Sequence, residues 1–137
     1  MPVTVEKRIP SVEEFNYLRK AAGWPLLSDD LTKQGLANSV YAVCVMDNGN
    51  IVGMGRIVGD NAIYFHISDV IIHPDHQGKK LGKTIMIELM LFIEGIAGQN
   101  SNIGLMCSKG REYFYEAFGF VKRPNERFGA GMIKIVE

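Results

Sequence analysis

A carboxylate, three lysines and several small residues share one short stretch of this 137-residue chain, and their order suggests anion chemistry. Ile67-Ser68-Asp69-Val70-Ile71-Ile72 is a β-branched, apolar segment with a single acidic residue, Asp69, and it exits through His73-Pro74. Gln77-Gly78-Lys79-Lys80-Leu81-Gly82-Lys83 follows, and then a long apolar helical pattern. Strand, glycine loop and helix start together form a backbone that holds phosphate: glycines let successive N–H groups converge, and the helix dipole favours negative charge at its N-terminus. Lys79, Lys80 and Lys83 sit at the helix end least suited to cations. A dianion among them accounts for the cluster; solvated surface charge is the alternative. A carboxylate in an apolar strand needs work or a partner if buried, so Asp69 is a proton acceptor, half of an ion pair, or a solvent-facing strand residue. Further along, Tyr115 lies in an aromatic cluster with Tyr113, Phe114, Phe118 and Phe120. A phenol there is either core packing or a proton donor.

Two familiar phosphate loops are excluded. Gly78 to Gly82 encloses three residues where a Walker A loop has four, and too little chain follows Thr84 to build a P-loop sheet. No G-x-G-x-x-G occurs, so the dinucleotide fingerprint is absent. His73 and His76 lie three apart without further ligands at zinc spacing, and no metal is expected. Fifteen basic residues balance fifteen acidic ones, which gives no electrostatic case for nucleic acid or a membrane surface. Cys44 and Cys107 fall in apolar segments and read as small hydrophobes in a reducing compartment. The longest apolar stretch carries Glu88 and Glu94, is too short to span a bilayer, and the expected location is cytoplasmic.

Positioning these groups requires a mixed set of elements in one domain, residues 1–137. Thr4–Arg8 reads as a short strand. Ser11 and Glu14 form a capping box ahead of a helix whose apolar face is Phe15, Leu18 and Ala22, ending at Gly23 and Pro25. A weaker helix spans Asp29 to about Asn38. Val40–Met46 and Ile51–Val58 flank the hairpin turn Asp47-Asn48-Gly49-Asn50, and Ala62–Ile72 adds a third antiparallel strand. Leu81, Ile85, Leu89, Phe92, Ile93 and Ile96 stripe a long helix capped at Gly98. A strand at Ile103–Cys107, a helix at Lys109–Phe118 and a hairpin of Phe120–Arg123 with Gly131–Val136 complete the chain. The fold class is α+β, with a twisted, mostly antiparallel sheet of about six or seven strands and helices on both faces.

The element order and two motifs resemble the GNAT superfamily of acyl-CoA-dependent N-acyltransferases over essentially the whole chain. Gln77-Gly78-Lys79-Lys80-Leu81-Gly82 is similar to the family's Gln/Arg-x-x-Gly-x-Gly/Ala, with Lys80 in place of the middle glycine; helical φ/ψ at Lys80 would make that tolerable. Phe114-Tyr115-Glu116-x-x-Gly119-Phe120 is similar to the family's Phe-Tyr-Glu-x-x-Gly-Phe. Ser108 stands where the family often has asparagine.

The resemblance implies acetyl-CoA as cosubstrate and a small-molecule amine as acceptor. It places the pyrophosphate against the N–H groups of Gly78, Lys79, Lys80, Leu81, Gly82 and Lys83. The pantetheine arm lies along Val70, Ile71 and Ile72 like an added strand, with Ser108 at its amide. A β-bulge near Asp69-Val70 splays the sheet there. Tyr115 becomes the acid for the departing thiolate, and Asp69 an aid to removing the ammonium proton. Tyr17, Trp24 and Phe128 line the amine pocket, although Trp24 is equally a core plug. His66 alternates with Tyr64 and Ser68 on one strand face and reads as packed or water-bonded. A homodimer through the edge of Met132–Val136 fits the pattern. Two other readings stand beside the enzyme: a CoA-binding regulatory module without turnover, and a protein or peptide N-acetyltransferase.

Overall fold

The computed structural model describes residues 3–137, which form two compact units, one extending to Gly104 and the other Leu105–Glu137. In the first unit the elements run β1 (Val3–Glu6), α1 (Val12–Ala21), α2 (Asp29–Ala37), β2 (Tyr41–Asp47), β3 (Asn50–Gly59), β4 (Tyr64–Ile72) and α3 (Leu81–Glu94). A short strand, β5 (Asn102–Leu105), completes a five-stranded sheet in the order β1-β2-β3-β4-β5. The class is the α+β arrangement expected, with fewer strands.

Local sequence explains each boundary. Ser11 Oγ accepts from Glu14 N–H while Glu14 accepts from Ser11 N–H, the reciprocal cap that starts α1. Glu14 also takes both guanidinium arms of Arg8, at 2.7 and 2.9 Å. That pairing holds its carboxyl down at about 2. Ser28 caps α2 through the Leu31 N–H. Asn48 and Gly49 both take positive φ, 52° and 82°, so β2 and β3 join through the left-handed turn that matches strand twist.

Side chains alternate across the sheet and divide its two faces between the helices. Met54 and Ile71 join Phe15 and Leu18 of α1 and Leu36 of α2 in one buried cluster. On the other face, Gly53 and Gly55 lie under α3. A Cβ built on Gly55 would stand 2.6 Å from Ile85 Cγ2 and 3.1 Å from Leu89 Cδ1. Gly55→Ala should therefore push α3 off the sheet and lower unfolding free energy by roughly 1–3 kcal/mol, measured by urea denaturation.

The α3 stripe is as expected for Leu81, Ile85, Leu89 and Ile93, all buried, with Met86 buried on a flank. Phe92 instead stacks on Tyr41, ring centroids 4.2 Å apart. The cap is Gly95, not Gly98, and Ile96 lies past the helix end, exposed. Ser101 explains the early stop. Its Oγ accepts from Gly98 N–H and donates to Ala62 O, tying the chain into a turn.

In the second unit, the helix expected over Lys109–Phe118 shortens to α4 (Glu112–Glu116). Gly110 takes φ 87° and Arg111 N–H returns to Ser108 O, so a turn occupies the start of the expected helix. The terminal hairpin is corrected too. Neither 120–123 nor 131–136 is a strand, and Met132, Ile133, Ile135 and Val136 are exposed. Alternation supplies β propensity, but a strand exists only where its backbone groups find a partner. The intervening loop closes on itself instead: Asn125 Oδ1 accepts from the Arg127 and Phe128 N–H groups, and Arg123 Nε donates to Gly129 O.

Candidate functional site

The bulge expected near Asp69-Val70 is present. Met54 pairs with Ile71 and Arg56 with Ser68, so Gly55 alone faces both Asp69 and Val70. Asp69 takes φ 56° at that step. A non-glycine residue in this region is uncommon, and Asp and Asn tolerate it best.

The Asp69 side chain is fully engaged. Oδ1 accepts from Arg19 Nη1 at 3.2 Å and Oδ2 from Arg56 Nε at 2.8 Å. The three side chains are nearly buried, 11–16% exposed. Each arginine is itself anchored: Arg19 Nε and Nη2 donate to Pro25 O, and Arg56 Nη1 donates to Gly35 O and Ser39 Oγ. Arg19 also lies over the Phe15 and Trp24 rings, at 5.5 and 5.3 Å. These contacts make Asp69 an ion-pair partner of both arginines. The clamp ties α1, the segment after α2, β3 and the β4 bulge together. Neither arginine was singled out from sequence.

Beside the clamp, His66 Nδ1 lies 3.0 Å from Ser68 Oγ. His66 is half-buried, and burial pushes its imidazole below the ordinary range, with Asp69 opposing part of that shift.

Beyond the bulge, Ile71 is buried, while Val70 and Ile72 are half-buried. Short β5 meets the start of β4, where Asn102 N–H donates to Ile63 O. A 3-10 turn (Pro74–His76) then leads into the loop. Gly78 takes φ 82° and Lys80 φ 62°, ψ 24°. Lys80 is thus left-handed, not helical as the sequence reading required, and it adopts the conformation that a glycine takes without strain. Left-handed backbone at both 78 and 80 is the kind of geometry that lets successive N–H groups converge on an anion. Lys80 is the N-cap of α3 but makes no side-chain cap bond, and Thr84 N–H reaches back to Lys80 O. The N–H groups of Leu81, Gly82 and Lys83 precede that first helical bond and gain no cap from the Lys80 side chain. These features fit a pyrophosphate. Gln77, Gly78, Lys79, Lys80 and Lys83 are exposed.

Trp24 packs against the core cluster, the plug alternative. Tyr17 is exposed and stacks on His73 at 5.5 Å. In the second unit, Phe128 lies under Arg123 and Arg127, at 5.0 and 5.2 Å. Ser108 offers its carbonyl to the Arg111 N–H and is not the cap of α4, which is Arg111. Tyr115 packs edge-on against Phe114 and Phe120. Burial, then the neighbouring Cys107, raises its phenol above the ordinary tyrosine range, with Arg111 opposing. Cys44 is buried against Arg8 O and its thiol is pushed up to about 11, which leaves it unreactive.

Among the described residues, no helix is long and apolar enough to cross a membrane, and no three His, Cys, Asp or Glu side chains gather as a metal site.

A bulged strand leads to an uncapped, left-handed glycine–lysine loop at a helix start in this α+β protein. Comparison with known proteins gives the particular family. The model of the acetyltransferase (GNAT) domain matches residues 17–136, and the chain belongs to that family. An uncharacterized N-acetyltransferase ycf52 from Pyropia yezoensis is 31% identical over 116 residues, 82% of this chain and 66% of that protein. The chain thus spans just under two thirds of that relative. Glucosamine 6-phosphate N-acetyltransferase of Schizosaccharomyces pombe is 37% identical over 95 residues, 64% of this chain and 84% of that one. Among solved structures, a probable acetyltransferase of unknown function from meticillin-resistant Staphylococcus aureus superposes with a TM-score of 0.88 at 28% identity, covering 98% of this chain and 100% of the other.

Proposed function

We propose that this chain is an acetyl-CoA-dependent N-acetyltransferase acting on the primary amine of a small cytoplasmic molecule. The observation that carries the reading is the loop Gln77–Lys83, whose left-handed Gly78 and Lys80 precede an uncapped helix start directly after a bulged strand. The resemblance to a glucosamine 6-phosphate N-acetyltransferase supports a small amine as acceptor. Acetyl-CoA supplies an activated acetyl thioester. Backbone N–H groups from Gly78 to Lys83 hold its pyrophosphate, and Lys79, Lys80 and Lys83 add charge that neutralises it. The backbone of Val70, Ile71 and Ile72 pairs with the amide arm. The acceptor nitrogen forms its bond to the acetyl carbon as the carbon–sulfur bond breaks, Tyr115 supplies a proton to the sulfur, and the proton shed by the acylated nitrogen restores the phenol.

Free CoA release with a panel of amines, read beside calorimetric binding of acetyl-CoA, tests this directly. Absence of acetyl-CoA binding ends it. Gly82 is the second residue of α3. A β-branched side chain there blocks close backbone approach, so Gly82→Val should raise the acetyl-CoA Kd tenfold or more, about 1.4 kcal/mol. Normal binding by a folded Gly82→Val protein would remove the loop from the site.

A further inference from the structure

An ammonium acceptor must lose a proton before its nitrogen can attack, and the carboxylate beside the bulge is poorly placed to take it. Both Asp69 oxygens are held by guanidiniums. The next titratable group along the same strand is His66. It shares the α1/α2 face of the sheet with Ser68, whose cross-strand partner is Arg56, while its own partner is Val58. Ser68 is adjacent to the bulge residue and half-buried. Its hydroxyl lies 3.0 Å from His66 Nδ1.

We infer that Ser68 and His66 form the proton relay for the acceptor amine: the hydroxyl meets the ammonium and the imidazole holds the proton. This rests on the acetyltransferase reading above. In the neutral Nε2–H tautomer, Nδ1 accepts from the serine. One N–H bond of the acceptor ammonium breaks as its proton moves to Ser68 Oγ. The original hydroxyl proton moves to Nδ1 in the same step, leaving serine neutral and imidazole cationic. The freed lone pair is then available to the thioester carbon, and the imidazolium returns its proton to water.

The surroundings set the direction of this relay. Arg56 flanks Ser68 from β3, and Arg19 approaches from α1 through Asp69. From β5, Gly104 lies beside the ring, a Cβ built there standing 3.9 Å from His66 Cδ2, with Asn102 Oδ1 close to the same point. Segments after and within α2 contribute Ser39 Oγ and Gly35 O to Arg56, not to the imidazole. Burial keeps the ring neutral at pH 7, with Asp69 in partial opposition. A neutral imidazole is the form that accepts.

The test compares wild type, His66→Gln, Ser68→Ala and Ser68→Thr, each first checked for fold and for acetyl-CoA binding by calorimetry. Wild-type kcat/KM should rise with pH through a limb below the ordinary imidazole range, at the same pH for two acceptors of different basicity. His66→Gln should lose that limb and about 10²-fold in rate at pH 7, with partial rescue by added imidazole. Ser68→Ala should lose a comparable factor, which Ser68→Thr restores. If wild type binds no acetyl-CoA, or binds it and turns over no amine, the acetyltransferase reading falls and the relay with it. If wild type turns over while His66→Gln keeps its rate, or slows with its limb intact and without imidazole rescue, His66 is packing and the relay alone is overturned.

Discussion

Asp69→Asn should lower unfolding free energy by about 3–5 kcal/mol, because it leaves two nearly buried guanidiniums without their counter-charge. Arg19 and Arg56 each meet one oxygen of this carboxylate, and both are fixed by other acceptors that prevent their swinging out to water. Asparagine tolerates left-handed backbone, so the bulge itself stays geometrically permitted. The loss then reports charge. Asp69→Ala should cost about 1–2 kcal/mol more, since alanine is strained at φ 56°. Urea denaturation of the two variants reads both quantities. The same Asp69→Asn protein decides the role of the carboxylate. Reduced stability with the limb in the pH profile of kcat/KM retained, moved only toward lower pH as His66 loses the opposing carboxylate charge, identifies a clamp, whereas loss of that limb at near-normal stability would support Asp69 as proton acceptor.

What was legible in the sequence follows local rules. The Ser11–Glu14 box, the Asn48-Gly49 turn and the period of Leu81, Ile85, Leu89 and Ile93 each specify structure through neighbours in the chain, and each formed as expected. The bulge was expected from resemblance and is present. The misses are non-local. Arg56 is a lone charge in the apolar run Ile51–Val58, as Asp69 is in the next strand. Two opposite lone charges in successive antiparallel strands are a signal for a cross-strand pair, and reading them together would have found the clamp. Arg19 carries no such signal, because a basic residue near a helix end ordinarily serves the dipole. Lys80 shows a different limit: a departure from glycine reads as helical backbone, yet the loop retains the left-handed geometry and accepts the strain. At 131–136, alternation predicts a strand, but pairing decides whether one forms, and pairing is not written locally.

Tyr115→Phe should lower kcat by about 10²-fold, the lower end of what a positioned proton donor contributes, because a thiolate leaves readily. The substitution preserves the ring that packs edge-on against Phe114 at 5.0 Å and Phe120 at 6.3 Å, so fold and acetyl-CoA affinity should survive. An effect on kcat without an effect on binding separates proton donation from packing. The pH dependence gives the second discriminator. Burial and the nearby Cys107 raise the phenol above its usual range, so its acid form persists further into alkaline solution than an exposed tyrosine would allow. The sign is therefore fixed: wild-type kcat declines in alkali at a higher pH than an exposed tyrosine would give, as the proton is lost. Tyr115→Phe has no proton to lose and should run low and flat over the same interval. Measuring kcat from pH 6 to about 10.5 for both proteins checks this, with the upper bound set near the ordinary tyrosine value. Full activity of Tyr115→Phe across that range would return the residue to the aromatic cluster as packing, and leave the thiolate to take its proton from the amine or from water.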